Sequence, residues 1–394
     1  MSRLPEPAEG LRRRLLLRAA HRHGLPLREG NAVALLPGGD AILEATLALI
    51  RGAVRDLRFE MYIWADDAVG QEVAEALRGA LDRGVAVRGL VDGLGSWGSE
   101  AMVAELRLAG ADLRRFHPVA PWRPRLWNRR NHRKLLIADG REAIVGSANW
   151  GLDYRPAQNA DAFLDVGIAL RGPSVRDLVA DFAAAWRRSE QELPPAPAAS
   201  EGPPLWRGPW REGALVQVVS SAPKGGRAAL RRQVRLLLSQ VRRELLVANA
   251  YFLPGPLVLR RLRRLAQRGR RIVLLLPGRS DQRFVQAASR RLYGPLLRSG
   301  VRIHEREHTM LHAKAAVVDG EVLFTGSANL DPRSFYHNLE LNLLIRQPEV
   351  VEEARALFEA QLPLSQAVGL EAWEARGAWA RAWSWFAYQF RWWL

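Results

Sequence analysis

Hydrophobic and polar positions along the chain fall into strand-like and helix-like stretches that alternate. Leu57 to Trp64 reads as a strand, followed by a helical stretch and a second strand at Val85 to Val91. The same order returns at Leu245 to Leu253 and Arg271 to Leu276. Downstream, Phe163-Leu-Asp-Val-Gly-Ile-Ala-Leu-Arg171 matches Asn338-Leu-Glu-Leu-Asn-Leu-Leu-Ile-Arg346, and each runs into an amphipathic helical stretch. Between the two sets lies Leu193-Pro-Pro-Ala-Pro-Ala-Ala-Ser-Glu-Gly-Pro-Pro204, a linker by its proline and alanine content. The pattern predicts an α/β chain of two duplicated halves, each a sheet flanked by helices. The expected division is a basic segment 1–30, a first half 31–192, a linker 193–213, a second half 214–366 and a tail 367–394.

The tail has its own periodicity. Trp379, Trp383, Phe386, Phe390 and Trp393 follow a 4-3-4-3 spacing, which places one aromatic stripe on a helix. Trp385, Tyr388 and Trp392 widen it, and arginines are interspersed. Such a helix either packs on the domain or suits the headgroup layer of a membrane. No run of ~18 apolar residues exists, so a transmembrane helix is not expected. The segment Leu11-Arg-Arg-Arg-Leu-Leu-Leu17 is too short for a signal-peptide core, which leads us to expect a cytoplasmic chain.

Composition changes the picture in three respects. There are no cysteines, which excludes disulfides, thiolate metal sites and thiol nucleophiles. The net charge of +17 favours polyanionic partners, either nucleic acid or an anionic membrane surface. Arginines crowd positions 227–243 and 260–271; solvated helix faces by default, they also attract anionic headgroups. Charge does not separate lipid from nucleic acid, but the aromatic tail favours lipid. Only three basic residues are lysines, Lys134, Lys224 and Lys314, and two of these occupy matching positions of a repeat.

The repeat carries the chemistry. Asn131-His-Arg-Lys-Leu-Leu-Ile-Ala-Asp-Gly140 and Leu311-His-Ala-Lys-Ala-Ala-Val-Val-Asp-Gly320 both read His-x-Lys-(x)4-Asp-Gly, and each is followed by Gly-Ser-Ala-Asn. On a strand, His132 shares a face with Lys134, and His312 with Lys314. If Asp139-Gly140 and Asp319-Gly320 close two-residue hairpins, Ser147 lies opposite His132 and Ser327 opposite His312. Asn149 and Asn329 then join the same faces. Asp139 and Asp319 have the opposite parity and read as turn residues, although they belong to the motif. A duplicated core has packing reasons to keep apolar residues, but none to keep histidine, lysine, serine and asparagine on one face of both halves.

These motifs resemble those of the phospholipase D superfamily, and within it the bacterial cardiolipin synthases of the type B-like group. The resemblance spans roughly residues 31 to 365 and includes Val33-Ala-Leu-Leu-Pro-Gly-Gly-Asp40, Phe59-Glu-Met-Tyr-Ile-Trp64 and Gly326-Ser-Ala-Asn-Leu-Asp-Pro-Arg-Ser334. It implies a site at the interface between halves, with His132, Lys134 and Asp139 from one motif and His312, Lys314 and Asp319 from the other as the catalytic set. His132 is the implied nucleophile, forming a phosphohistidine, and His312 the acid and then base. Arginines flanking His132 would disfavour its protonated form. The lysines, Asn149, Asn329, Ser147 and Ser327 are expected on the phosphate. Asp165 and Glu340, at equivalent positions of the two copies, are the candidates for orienting the histidines. The implied activity is phosphatidyl transfer, two phosphatidylglycerols giving cardiolipin and glycerol, with phosphatidylethanolamine as another possible donor. The expected setting is the cytoplasmic face of a membrane, with no obligate protein partner. A hydrolase on the same site, phospholipase D or nuclease, is the alternative, and a basic binding module the non-catalytic one. No cofactor is expected. The nearest metal-like cluster, His304, Glu305, Glu307 and His308, reads instead as a strand end.

Overall fold

The structure, a computed structural model, describes residues 26–119, 124–189, 202–221 and 226–393. Most of the expected basic N-terminal segment and the first part of the linker lie outside the described residues.

The first half begins earlier than the sequence suggests, with strand β1 at Leu27–Pro37, and continues through β2 (Asp56–Met61), β3 (Ala86–Asp92), β4 (Asp112–Phe116), β5 (Leu135–Ala138), β6 (Glu142–Gly146) and β7 (Val166–Arg171). The second half repeats it: β8 (Arg211–Ser220), β9 (Glu244–Ala248), β10 (Arg271–Pro277), β11 (Arg302–Arg306), β12 (Ala315–Val318), β13 (Val322–Gly326) and β14 (Leu341–Arg346). In each half the first three strands after the opening one pair in parallel, as crossover helices require, and the hairpin strands pair antiparallel. A short β15 (Gln366–Ala367), across the expected boundary between second half and tail, adds to the outer edge of β11.

The halves are not separate sheets. β1 pairs antiparallel with β8, and the order β15-β11-β10-β9-β12-β13-β14-β8-β1-β7-β6-β5-β2-β3-β4 runs through both halves without a break. One continuous mixed sheet replaces the two expected, and the pairing removes both central edges. The helices Val175–Trp186 and Pro348–Gln361 contribute Phe182, Trp186, Val350, Val351 and Phe358 to a core that spans the join. The linker is also shorter than expected, because β8 starts at Arg211. Trp206 is buried against the first half, and the backbone N–H groups of Leu205 and Trp206 donate to the Glu142 carboxylate.

The hairpin register differs by one residue from the expected one. Ala138 pairs with Glu142 and Val318 with Val322, so each loop has three residues rather than two. Asp139 and Gly140 take left-handed conformations (φ 53° and 65°), as the tight turn requires, but the Arg141 N–H turns back to the Ala138 carbonyl and leaves the ladder. The second loop has the same conformation at Asp319 and Gly320 (φ 55° and 69°). A one-residue shift changes which side chains share a face, and it moves Ser147 and Ser327 away from the histidines.

Beneath the first motif, β2 is buried on both faces. Leu57, Phe59 and Met61 enter the apolar core, while Asp56, Arg58 and Glu60 face a layer of buried ions. There Arg58 and Arg88 both reach Asp56 at 2.6 Å. Such a layer is costly unless every charge is matched, which fixes the strand in one position.

Candidate functional site

Neither histidine lies inside a regular strand. His132 and His312 open the three-residue approaches to β5 and β12, where the chain pairs with the other half. The His132 N–H donates to the Leu339 carbonyl at 3.0 Å, and the His312 N–H to the Leu164 carbonyl at 2.9 Å. Asn131 bridges Leu339, and Leu164 bridges Leu311, in matching parallel contacts. This exchange brings the start of each motif beside the strand that follows the other motif.

The side chains exchange as well. His132 Nδ1 lies 3.1 Å from Glu340 Oε2, and His312 Nδ1 lies 2.7 Å from Asp165 Oδ2. Each half therefore supplies the carboxylate for the opposite imidazole. A charged carboxylate at Nδ1 requires a proton there, which puts the lone pair of both rings on Nε2. The carboxylates are themselves held. Ser147 Oγ donates to Asp165, and Ser327 Oγ donates to Glu340. Ser334 Oγ and Asn338 Nδ2 reach the other Glu340 oxygen at 2.8 and 3.3 Å. The expectation of both serines on the phosphate is thus corrected: they are fully buried behind the carboxylates, a result of the shifted hairpin register.

Asp139 and Asp319 are also corrected as members of the catalytic set. They stand at the far ends of β5 and β12, where Asp139 accepts from the N–H groups of Val54, Arg55 and Asp56 at 2.9–3.1 Å. Asp319 does the same for Arg242, Arg243 and Glu244 at 2.8–2.9 Å. They pin the hairpin tips to the strands that enter the sheet. The turn reading from strand parity agrees with this geometry.

Lys134 Nζ donates to the His132 carbonyl at 2.8 Å, and Lys314 Nζ to the His312 carbonyl at 2.6 Å, so each ammonium is folded against its own histidine. Lys314 Nζ is also 3.1 Å from both ring nitrogens of His312. Burial lowers the pKa of both lysines, that of Lys314 to about 8, and the charge of Lys314 lowers Lys134 further. Both imidazoles are held down to about 4, first by burial and then by the neighbouring lysine. Burial opposes the charge on Asp165 and Glu340, but their paired histidines, the serines and the lysines keep both below the usual carboxylate range. At neutral pH the pairs are carboxylate with neutral imidazole. Asn149 accepts from the Ile63 N–H at 3.1 Å and Asn329 from the Tyr251 N–H at 3.3 Å, which fixes both amides beside the lysines' strands.

The arginines flanking His132 do not act on it as the sequence suggests. Arg133 is fully buried on the opposite face, 3.1 Å from Glu60, and Arg130 sits 3.4 Å from Asp92. Their charges are matched. Of the metal-like cluster, Glu305 accepts from Arg290 and Tyr293, and His304 and Glu305 belong to β11.

Three tyrosines ring the site without having been singled out from the sequence. Tyr62 packs edge-on to His132 with centroids 4.9 Å apart, and Tyr154 to His312 at 5.1 Å. Asn149 Nδ2 donates to the Tyr154 hydroxyl at 2.6 Å, and the Tyr251 hydroxyl donates to Asp281 at 2.8 Å. The repeat could not reveal them. Position 334 matches Tyr154 but holds serine, and position 250 matches Tyr62 but holds alanine.

The expected aromatic helix forms at Ala378–Gln389. It packs through Ser384 and Ala387, while Trp383, Phe386 and Phe390 surround Phe284 at 5.7, 6.4 and 5.8 Å between centroids. Trp379 and Trp393 remain 83% and 77% exposed. Among the described residues no helix is long and apolar enough to cross a membrane.

Comparison with known proteins places this geometry. A family model described as "Cardiolipin synthase, PLD-like domain" matches residues 46–186 and 234–362, one segment in each half. Cardiolipin synthase B of Escherichia coli K12 is 35% identical over 332 residues, covering 81% of this chain and 77% of that protein. A cardiolipin synthase of Geobacillus kaustophilus is 34% identical over 338 residues, covering 84% and 66%. The crystal structure of phosphatidylserine synthase from Haemophilus influenzae superposes with a TM-score of 0.72 over 95% of this chain and 97% of that one, at 14% identity, so it shares the fold. With two family segments and a relative above 30% identity over most of its length, the chain belongs to the cardiolipin synthase family of phospholipase D-like proteins.

Proposed function

We propose that the chain joins two phosphatidylglycerol molecules into cardiolipin and releases glycerol, by way of a phosphohistidine on His132. Membership of the family makes it a phosphatidyltransferase of the phospholipase D superfamily. The observation that carries the proposed mechanism is the carboxylate exchange, which orders two neutral imidazoles and two buried ammonium groups around one space. In this reading His132 Nε2 attacks phosphorus, and the departing glycerol oxygen takes a proton from His312. His312 then removes the proton from the hydroxyl of the second phosphatidylglycerol, which attacks phosphorus and frees His132.

The electrostatics support a role for the substrate in arming the site. Burial first and then the two lysines depress both imidazoles, and an anionic phosphodiester beside Lys134 and Lys314 offsets the lysines' share. Substrate binding then brings His312 its proton, while Lys134, Lys314, Asn149 and Asn329 face the non-bridging oxygens. The exposed tryptophans of the helix Ala378–Gln389 suit the headgroup layer, so the proposed setting is peripheral, on the cytoplasmic face of an anionic membrane. Phosphatidylethanolamine as donor follows the same chemistry.

Purified protein incubated with radiolabelled phosphatidylglycerol, with products separated by thin-layer chromatography, tests the reading. Cardiolipin as the main product supports it. Phosphatidic acid alone would mean that water is the acceptor and the chain a hydrolase, and no product would remove the catalytic reading.

A further inference from the structure

A cavity of about 680 Å³ opens between the two halves, on the His312 side of the site. Its inner wall includes Phe163, whose ring stacks on the His312 ring at 5.9 Å, and Met310, two residues before His312. Its outer wall is the C-terminal region: Trp373, Arg376, Ala380, Trp383 and Ser384. These residues follow the last segment matched by the family model, which ends at 362. The outer wall therefore lies outside the segments that the family model matches.

The charges in this cavity are unevenly matched. Arg290 is taken up by a two-point pair with Glu305 at 2.8 and 3.0 Å. Among the described residues, no carboxylate is ion-paired with Arg279, Arg283 or Arg376. Two carboxylates face the same space, Asp161 and Asp281, and Asp281 accepts the Tyr251 hydroxyl.

Arg376 is held in place by a relay of contacts. Its guanidinium lies over the Trp373 ring, 3.2 Å from the centroid, and its Nε–H donates to the Trp373 carbonyl at 2.9 Å. Trp373 stacks on Tyr293 at 4.8 Å, and the Tyr293 hydroxyl donates to Glu305, the partner of Arg290. Among the described residues, the terminal nitrogens of Arg376 have no hydrogen-bond partner. Burial, followed by repulsion from Arg290, lowers the pKa of Arg376, which is the condition of a cation that lacks its counter-ion. A planar guanidinium fixed by stacking, with its Nη1/Nη2 edge free, is arranged to grip phosphate oxygens.

We propose that this cavity is a second phosphate site, where Arg376 and Arg279 hold the phosphodiester of the acceptor phospholipid while its hydroxyl reaches His312. The inference rests on the phosphatidyl-transfer reading above and extends it to the second substrate. The acceptor's glycerophosphate lies in the cavity, and its chains leave along Trp383 toward the exposed tryptophans.

Calorimetric titration of the full chain with glycerophosphoglycerol, a soluble headgroup, tests the site directly. The unmodified protein is expected to bind two equivalents and an Arg376→Gln/Arg279→Gln double variant one. The same variant is expected to lower the ratio of cardiolipin to phosphatidic acid by about tenfold or more, the loss of at least one charge-assisted contact. A single equivalent in the unmodified protein, with cardiolipin still formed, overturns the second site and leaves the transferase reading intact. Two equivalents falling to one in the variant, without any cardiolipin from the unmodified protein, supports the site and overturns the transferase reading. A parallel titration with inorganic phosphate separates the sources: if it fills the cavity as tightly as the headgroup, the lipid assignment is wrong.

Discussion

Replacing Glu340 with glutamine isolates the effect of one carboxylate on one imidazole. One Glu340 oxygen receives Ser334 and Asn338, at 2.8 and 3.3 Å, and the other receives Ser327 and His132 Nδ1. Asn338 Nδ2 donates to the first of these oxygens, and Ser334 Oγ, which accepts from the Asn329 N–H at 3.0 Å, donates its own hydrogen to it as well. With both neighbours donating as they do in the structure, the amide oxygen of the new glutamine stays on that side, and its NH2 faces His132. Ser327 can reverse its hydroxyl to accept, but the imidazole can accommodate an N–H donor only by giving up its Nδ1 proton. The proton moves to Nε2, and the lone pair needed for attack is gone. Two costs follow: selection of the disfavoured tautomer, and loss of the negative charge opposite a ring that becomes positive on attack. A buried charged hydrogen bond is worth roughly 1.5–3 kcal/mol, and the tautomer cost brings the sum to about 3–4 kcal/mol, or a fall in kcat of roughly 10²–10³. The assay is initial-rate cardiolipin formation, with KM expected to hold and the thermal midpoint to stay within a few degrees. A folded Glu340→Gln protein with kcat within about threefold of the parent would refute this account of the site.

Three further outcomes are expected. With an activated phosphodiester whose leaving group needs no proton, His312→Ala should accumulate a covalent adduct by intact mass and His132→Ala none; the reverse would exchange their roles. Asp331 is a buried carboxyl raised to about 7, by burial first, and its folded value lies above the unfolded one, so the stability tied to its proton is lost as pH rises from about 4 through 7. Asp331→Asn keeps the cap on the Ser334 N–H, and its unfolding free energy relative to the parent should rise between pH 5 and 8 by roughly 2–3 kcal/mol; no pH dependence of the difference would contradict the assignment. Trp379→Ser with Trp393→Ser should weaken sedimentation with phosphatidylglycerol vesicles by roughly tenfold or more while leaving the melting curve in place, since both rings are exposed.

The duplicated motif made much of this site legible. His132, Lys134, His312 and Lys314 could be found because both copies keep the same polar residues at the same spacing, which no packing rule demands. What was hidden depended on geometry that one-dimensional spacing does not carry. A single residue, Arg141, falling out of the hairpin ladder redirected Ser147 from phosphate to carboxylate. The crossing of Asp165 to His312 and of Glu340 to His132 is a relation between halves 147 and 208 residues apart in sequence, so equivalence alone could not say which carboxylate serves which ring. Tyr62, Tyr154 and Tyr251 were missed because they break the repeat. The aromatic stripe of the tail forms a helix at Ala378–Gln389 and packs Trp383, Phe386 and Phe390 around Phe284, but the residues it buries fully are Ser384 and Ala387, small residues that no hydrophobic stripe singles out.

The exchanged carboxylates also bear on where such a chain comes from and what it can tolerate. A half on its own would own a histidine without the group that orders it, and a carboxylate without a ring to order. Two identical halves related by a twofold axis would satisfy each other, because an isologous interface meets every contact twice. The present chain has the form of such a dimer fused end to end, in which the two copies have since been free to diverge. Divergence is visible in the tyrosines and in the cavity on the His312 side, where one half has acquired features that the other lacks. Fusion thus turned a symmetric pair, obliged to treat both substrates alike, into a machine with two distinguishable sides.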